Sequence, residues 1–357
     1  MANRLPLHER HVAAGAKFEN VADWELPVAY GDPAAEYALV RGSVGLLDRG
    51  HVGMLELTGR DRAAFLHALV SNEVKALGPG QGCAATLLDV HGKVQVVLYV
   101  WVADDRIFVV TPPAMAEKTA EALDHYLFSE KVSIRDVSGE AALFVLAGPK
   151  AAETGERLTG ARPPESRWSQ AAGMIADTSV RLVSGRRETG EAEVWIAGPA
   201  SEASSMWDAL VGGGVRPVGL VAFEALRIEA GTPVFAHDVD ESVLLPEIPF
   251  ADLVSETKGC YPGQEVVVRI RDRGHVNRML RGLLLDGTEV PPTGAEVVGA
   301  DDTPVGRVTS AAWSFGLERP IALAFVGRQH AEPGARVSVR LGGRAVAASV
   351  SALPFIR

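Results

Sequence analysis

The 357-residue sequence predicts an α+β protein that ends in a small all-β barrel domain. Up to about residue 240, stretches with helical apolar spacing alternate with short apolar runs of strand type, in the order helix, strands, helix, strands. From about residue 276 the texture changes to short strands between Gly/Pro turns, which suits a closed barrel or roll. With 47% apolar residues the chain can bury a sizeable core, and its length allows two or three domains.

The elements follow in chain order. Residues 8–48 open with a helical stretch, pass through a Gly/Pro/Trp loop and enter a second helix near Asp32–Val40, where Pro33 occupies a position whose missing N–H costs little. Residues 52–59 alternate like a strand. A helix follows, with Thr58 as its cap and Phe65, Leu66, Leu69 and Val70 as its apolar stripe. Residues 83–112 give three strands with turns at Asp89–Gly92 and Asp104–Arg106. An amphipathic helix over 114–128 and two strands over 132–149 come next. Residues 150–160 form a helix, 181–199 a hairpin, 201–214 a helix ending in glycines, and 219–240 a helix with a Gly-Thr-Pro turn. No low-complexity linker separates these units, so close domain packing is expected.

Charge and cysteine usage narrow the function. A net charge of −10 gives no general support for direct nucleic-acid binding. No run approaches the roughly 20 apolar residues of a membrane helix. The opening MANRLPLHERHVAAG is charged, and Cys83 and Cys260 have no C-x-x-C partners, so a reduced, cytoplasmic setting is expected.

Four segments carry candidate chemistry. In KGCYPGQE (258–265), Gly259 and Gly263 permit tight turns, Pro262 stiffens the bend, and a strand is expected from Glu265 to Ile270. The segment reads as a catalytic thiol at Cys260, a ligand pocket, or a well-formed turn. Lys258 can activate the thiol, whereas His237 and His275 reach it only through the fold. One Cys without nearby ligands does not make a metal site. The Thr-Gly-Glu turn puts Glu191 at a hairpin tip, either as surface or as a carboxylate for two parallel hydrogen bonds to a heterocycle. Arg227 and Glu229 flank Ile228 and do not share a helix face, with a surface or structural ion pair as the default reading. Arg269, Arg271 and Arg273 alternate, so on a strand they share one face, either a solvated face or a basic lane for an anionic ligand tail or an acidic partner.

Several blocks, among them LHERHVAAGAKFENVADWELPVAYGD, RGSVGLLDRGHVGMLELTGRDRAAFLHALVSNEV, TGE and ALRIEAGTPVFAHDVDE, resemble in order the aminomethyltransferase (T-protein) of the glycine cleavage system, over about residues 7–340. KGCYPGQE instead resembles the K-G-C-Y-x-G-Q-E motif of YgfZ-type folate-binding proteins, which share that fold and are implicated in iron–sulfur cluster maintenance. The resemblance implies a three-lobed aminomethyltransferase folate-binding fold around a tetrahydrofolate channel. Residues 1–50 plus 140–240 would form the first α+β lobe, 51–139 plus 241–275 the second, and 276–357 the barrel. It further implies that Glu191 grips the pterin, that Arg227 lies near the folate, and that Lys258, Tyr261 and Gln264 line or brace the channel. Arg269, Arg271 and Arg273 would meet the glutamate tail or a partner.

T-proteins carry paired aspartates after the Gly-Gly of one hairpin, one of them near the reacting folate nitrogen. Val96 and Val97 stand there in this chain, and Asp89 lies before the turn. The expectation is therefore a tetrahydrofolate-binding protein that supports iron–sulfur cluster assembly or repair through Cys260, with iron–sulfur client or assembly proteins as partners and no aminomethyl transfer. Through those clients it would touch tRNA modification. The alternatives are a folate-dependent aminomethyltransferase and a scaffold module without folate.

Overall fold

The computed structural model describes residues 2–21 and 23–356. Two sheets face each other. One runs in the order Gln170–Ile175, Thr178–Ser184, Glu193–Pro199, Ala141–Ala147, Gly45–Asp48, Arg216–Pro217. The other runs Gly82–Leu88, Val94–Val102, Arg106–Thr111, Gly53–Thr58, Ser133–Asp136. Each covers one face with its own helices. Leu66, Leu69 and Leu123 pack under the second sheet, and Met206, Trp207 and Leu210 under the first. The opposite faces meet in a shared core that contains Met54, Trp101, Val145 and Trp195.

The C-terminal residues close a six-stranded barrel from Arg278–Leu285 to Arg344–Ser351 around Leu283, Val297, Val308 and Val339. Leu280, Ile321, Leu323 and Phe325 on its outer side join the shared core, so the barrel is the third lobe. The helix Leu220–Glu229 packs on the barrel strand Pro304–Ser314 and on the helix Pro33–Gly42. This is the α+β fold with a terminal barrel that the alternating texture indicates.

Three local expectations are corrected. The loop before Asp32 is a strand pair, Lys17–Val21 with Trp24–Ala29, because Leu26, Val28 and Ala29 have a core to bury against. Thr58 ends a strand and does not cap; the helix begins at Arg62 after Asp61. The strand expected over Glu265–Ile270 is a helix, Gln264–Arg273. Helical spacing lets Val267 bury while Glu265, Arg269, Arg271 and Arg273 stay in solvent. Glu265 in the first turn and Arg271 and Arg273 in the last also suit the helix dipole.

Candidate functional site

The lobes meet around a network of charged and aromatic side chains. Glu191 sits on the turn before Glu193–Pro199, and Gly190 holds the turn open at φ +82°. One carboxylate oxygen of Glu191 accepts from Arg41 Nη1 at 2.9 Å. Arg41 also donates to Glu229 Oε2 at 2.5 Å and, through Nε, to the Tyr37 hydroxyl at 3.1 Å. Burial works against the Arg41 charge, but Glu229, Glu191 and Tyr37 outweigh it and hold the guanidinium protonated. Glu191 is thus a partly exposed carboxylate with a fixed cation behind it.

Three residues before Glu191, Glu188 is buried. Tyr99 donates its hydroxyl to Glu188 Oε1 at 2.9 Å, and Arg49 Nη2 donates to Oε2 at 3.1 Å. Tyr99 stacks on Trp168 at 4.6 Å and meets Trp195 edge-on at 5.3 Å. Burial, then the nearby Glu188, pushes the Tyr99 phenol far up, so it remains a donor. Arg186 approaches Asp252 at 3.5 Å. Glu193 accepts from the Thr189 N–H at 2.9 Å and from Trp195 Nε1 at 3.2 Å. Burial, then the charge of Glu188, pushes its carboxyl up to about 7. Arg49 Nε and His51 Nδ1 are buried without a partner among the described residues. Burial, then Arg49, pushes His51 down to about 3, so its ring is neutral near pH 7. Orphaned polar nitrogens beside a carboxylate fit a polar heterocycle better than an apolar plug.

The strand Val94–Val102 explains the two valines. Val96, Leu98 and Val100 face the second lobe's own core, while Val97 and Tyr99 face the shared junction. Only position 97 therefore looks toward the network, and it offers no carboxylate.

The other sequence candidates fall outside the network or brace it. Arg227 has no exposed surface. Its donors are taken by Asp238 at 2.7 Å, by Ser310 Oγ at 2.7 Å, and by Glu224. No face of that guanidinium is left for a folate, and the structural ion pair is what stands there. Lys258 is buried, and its ammonium donates to the carbonyls of His67 and Val70 at the end of the helix Arg62–Leu69. Burial lowers it to about 8, while two carbonyls at a helix C-terminus favour the charged donor. Tyr261 is buried under Lys258, whose Nζ lies 5.0 Å from the ring centroid.

Gly263 explains the rest of KGCYPGQE. At φ +77° it lies against the turn Asp89–Gly92, where an added Cβ would stand 2.4 Å from the Asp89 carbonyl. Gln264 opens the helix that follows, and Asp89 itself binds the N–H groups of His91 and Lys93 within that turn. Cys260 is exposed, with no hydrogen bond to a base among the described residues, whereas Cys83 is buried and its thiol is pushed up to about 12 by burial. Arg269 and Arg273 share one face of their helix, with Arg271 on another, paired to Asp272 at 2.7 Å. The single lane of three arginines does not form. Arg41, Arg49, Tyr99 and Glu188 were not singled out in the sequence; the one local signal was the position of Glu188 just before Thr-Gly-Glu.

Comparison with known proteins identifies the domains. Residues 7–258 match the GCVT N-terminal domain, and residues 278–356 match the glycine cleavage T-protein C-terminal barrel domain. The chain is 32% identical to an aminomethyltransferase of Thermotoga neapolitana, covering 99% of this chain and 98% of that one. It is 31% identical to an aminomethyltransferase of Picosynechococcus sp. over 99% and 98% of the two chains. The crystal structure of glycine cleavage system aminomethyltransferase T from Bartonella henselae superposes with TM-score 0.91 at 24% identity, covering 100% of this chain and 98% of that one, which shows the shared fold.

These matches overturn the iron–sulfur assembly reading with its client proteins. Full-length relatives at about 30% identity are named aminomethyltransferase. The eight-residue KGCYPGQE motif that drew that reading is accounted for by lobe packing. Two domain models in order, with relatives matched end to end, make this chain a member of the glycine cleavage T-protein (GCVT) family.

Proposed function

We propose that this protein binds tetrahydrofolate at the junction of its lobes and transfers a one-carbon unit to it from an aminomethyl donor. The observation that carries the reading is Glu191, a carboxylate paired with Arg41 and still partly open, beside a junction with unpartnered polar nitrogens. A carboxylate in that state accepts two parallel hydrogen bonds from a ring N–H and an exocyclic amine. Full-length identity to proteins named aminomethyltransferase supports the reaction class.

Tetrahydrofolate, when bound, supplies the nitrogen that receives the carbon. The chain's own residues do the rest. Glu191 holds the pterin edge, with the hydrogen bond from Arg41 orienting its carboxylate. Arg49 Nε and His51 Nδ1 offer unpaired nitrogens for polar groups of the ligand. With Val97 at the junction, the carboxylate bonded to that face of the strand is Glu188, reached through the Tyr99 hydroxyl. General acid–base help is typically worth about 10²–10⁴-fold. Lacking an aspartate at 96 or 97, this site is expected to turn over slowly, with Glu188 as its proton-handling group. KGCYPGQE, which resembles the YgfZ-type branch, braces the second lobe in this reading.

Calorimetric titration of the purified protein with tetrahydrofolate under anaerobic conditions tests the reading. Glu191→Gln is expected to weaken binding by about tenfold or more, the cost of a charged hydrogen-bond acceptor. Equal affinity of the variant and the wild type would remove Glu191 from the site.

A further inference from the structure

The facing sheets leave a cleft of about 590 Å³. It lies by Pro199, at the opposite end of the strand Glu193–Pro199 from Glu191, about 20 Å along that strand at the usual rise per residue. Its volume is that of a small-molecule pocket. One wall presents Trp101 and Phe108, the other Arg181, Ala197 and Gly198.

Arg181 is the unusual member. Its guanidinium carbon stands 5.4 Å from the Phe108 ring centroid, and its Nη1 donates to the Gln170 amide oxygen at 2.5 Å. Among the described residues, no carboxylate lies within 4.0 Å of it. The other arginines of the cleft differ: Arg106 and Arg135 both pair with Glu56, at 2.5 and 3.2 Å. Burial lowers the Arg181 pKa, and the more distant charge of Asp104 offsets this only in part. Beside it, Trp101 is 1% exposed and its Nε1–H has no acceptor among the described residues. A half-buried cation with no paired carboxylate, in a cleft with an aromatic wall, suits a ligand.

We propose that this cleft binds a small monocarboxylate with a flat apolar body, its carboxylate on the Arg181 fork and its ring against Phe108. The planar guanidinium matches a carboxylate bidentately. Ala197 and Gly198 offer the ligand body no side-chain donors, so that body is apolar. Asp104, Glu56 and Glu140 also line the cleft, and their charge opposes a dianion such as phosphate more strongly than a monoanion held on the Arg181 fork. This site stands apart from the folate reading and does not depend on it.

The test is ligand-observed NMR on the full chain with benzoate, its neutral isostere benzamide, and inorganic phosphate. Benzoate is expected to bind, benzamide at least about tenfold more weakly, and phosphate not to displace benzoate. Arg181→Gln is expected to weaken benzoate by about tenfold or more, with Arg181→Lys, which keeps the charge but loses the fork, falling between. Glu191→Gln is expected to leave benzoate binding unchanged. Absence of benzoate binding, equal binding of benzamide, full binding to a folded Arg181→Gln variant, or loss of benzoate in Glu191→Gln would each overturn the proposal. Circular dichroism of each variant establishes that it is folded.

Discussion

Arg227 shows how a residue with the right charge in the right segment can be structural. Burial alone would raise the Asp238 carboxyl, but Arg227, His237, Ser310 and Thr309 outweigh it and hold that group well below the usual carboxylate range. Removing the arginine strands that carboxylate in the interior. Arg227→Met is expected to cost about 3–5 kcal/mol, read by denaturant unfolding. Tetrahydrofolate affinity of the folded variant should stay at the wild-type level; a selective loss of affinity would return Arg227 to the binding site. Glu193 belongs to the same scale. Its folded pKa, about 7, lies above the ordinary value of 4.5, so the folded state prefers the protonated form. That contribution is complete below about pH 4.5 and is lost as pH rises through 7, on the order of 3 kcal/mol in all. Glu193→Gln should flatten the fall of stability between about pH 5 and 8, and an unchanged slope would assign it to another group.

At the scale of elements, KGCYPGQE is a clamp. Lys258 ties the end of the helix Arg62–Leu69, Tyr261 fills the shared core, and Gly263 nests against the turn Asp89–Gly92. Gly263→Ala would place a Cβ 2.4 Å from the Asp89 carbonyl at a positive φ, so it should cost about 1–3 kcal/mol in urea unfolding. A neutral outcome would mean that the two turns separate without cost. The segment also shows where sequence reading stopped. Period-two apolar content over Glu265–Ile270 suits a strand, but these six residues continue to Arg273, and their apolar positions also fit one buried helix face at Val267. Nothing local separates the two readings; the docking of Gly263 on another turn does, and that contact joins residues far apart in the chain. The strands of the barrel and the facing sheets, by contrast, are short apolar runs bounded by turn residues and were legible directly.

At the scale of the whole molecule, three lobes converge on one junction. Glu191 was legible because a Thr-Gly-Glu turn announces itself locally. Arg41, Arg49 and Tyr99 were not, because each joins the network only when the fold brings it against Glu188, Glu191 or Glu229, far away in the chain. The valines at 96 and 97 were legible as a departure, and the alternation of their strand then reduced two positions to the one, Val97, that faces the junction. Whether a junction without that carboxylate still performs chemistry is decided by turnover. The purified protein is mixed with an aminomethyl donor under anaerobic conditions, with and without tetrahydrofolate, and formation of the one-carbon folate is followed. Slow formation that requires the protein and is lost in Glu191→Gln is the expected result. A wild-type protein that binds tetrahydrofolate with no protein-dependent product would contradict aminomethyl transfer.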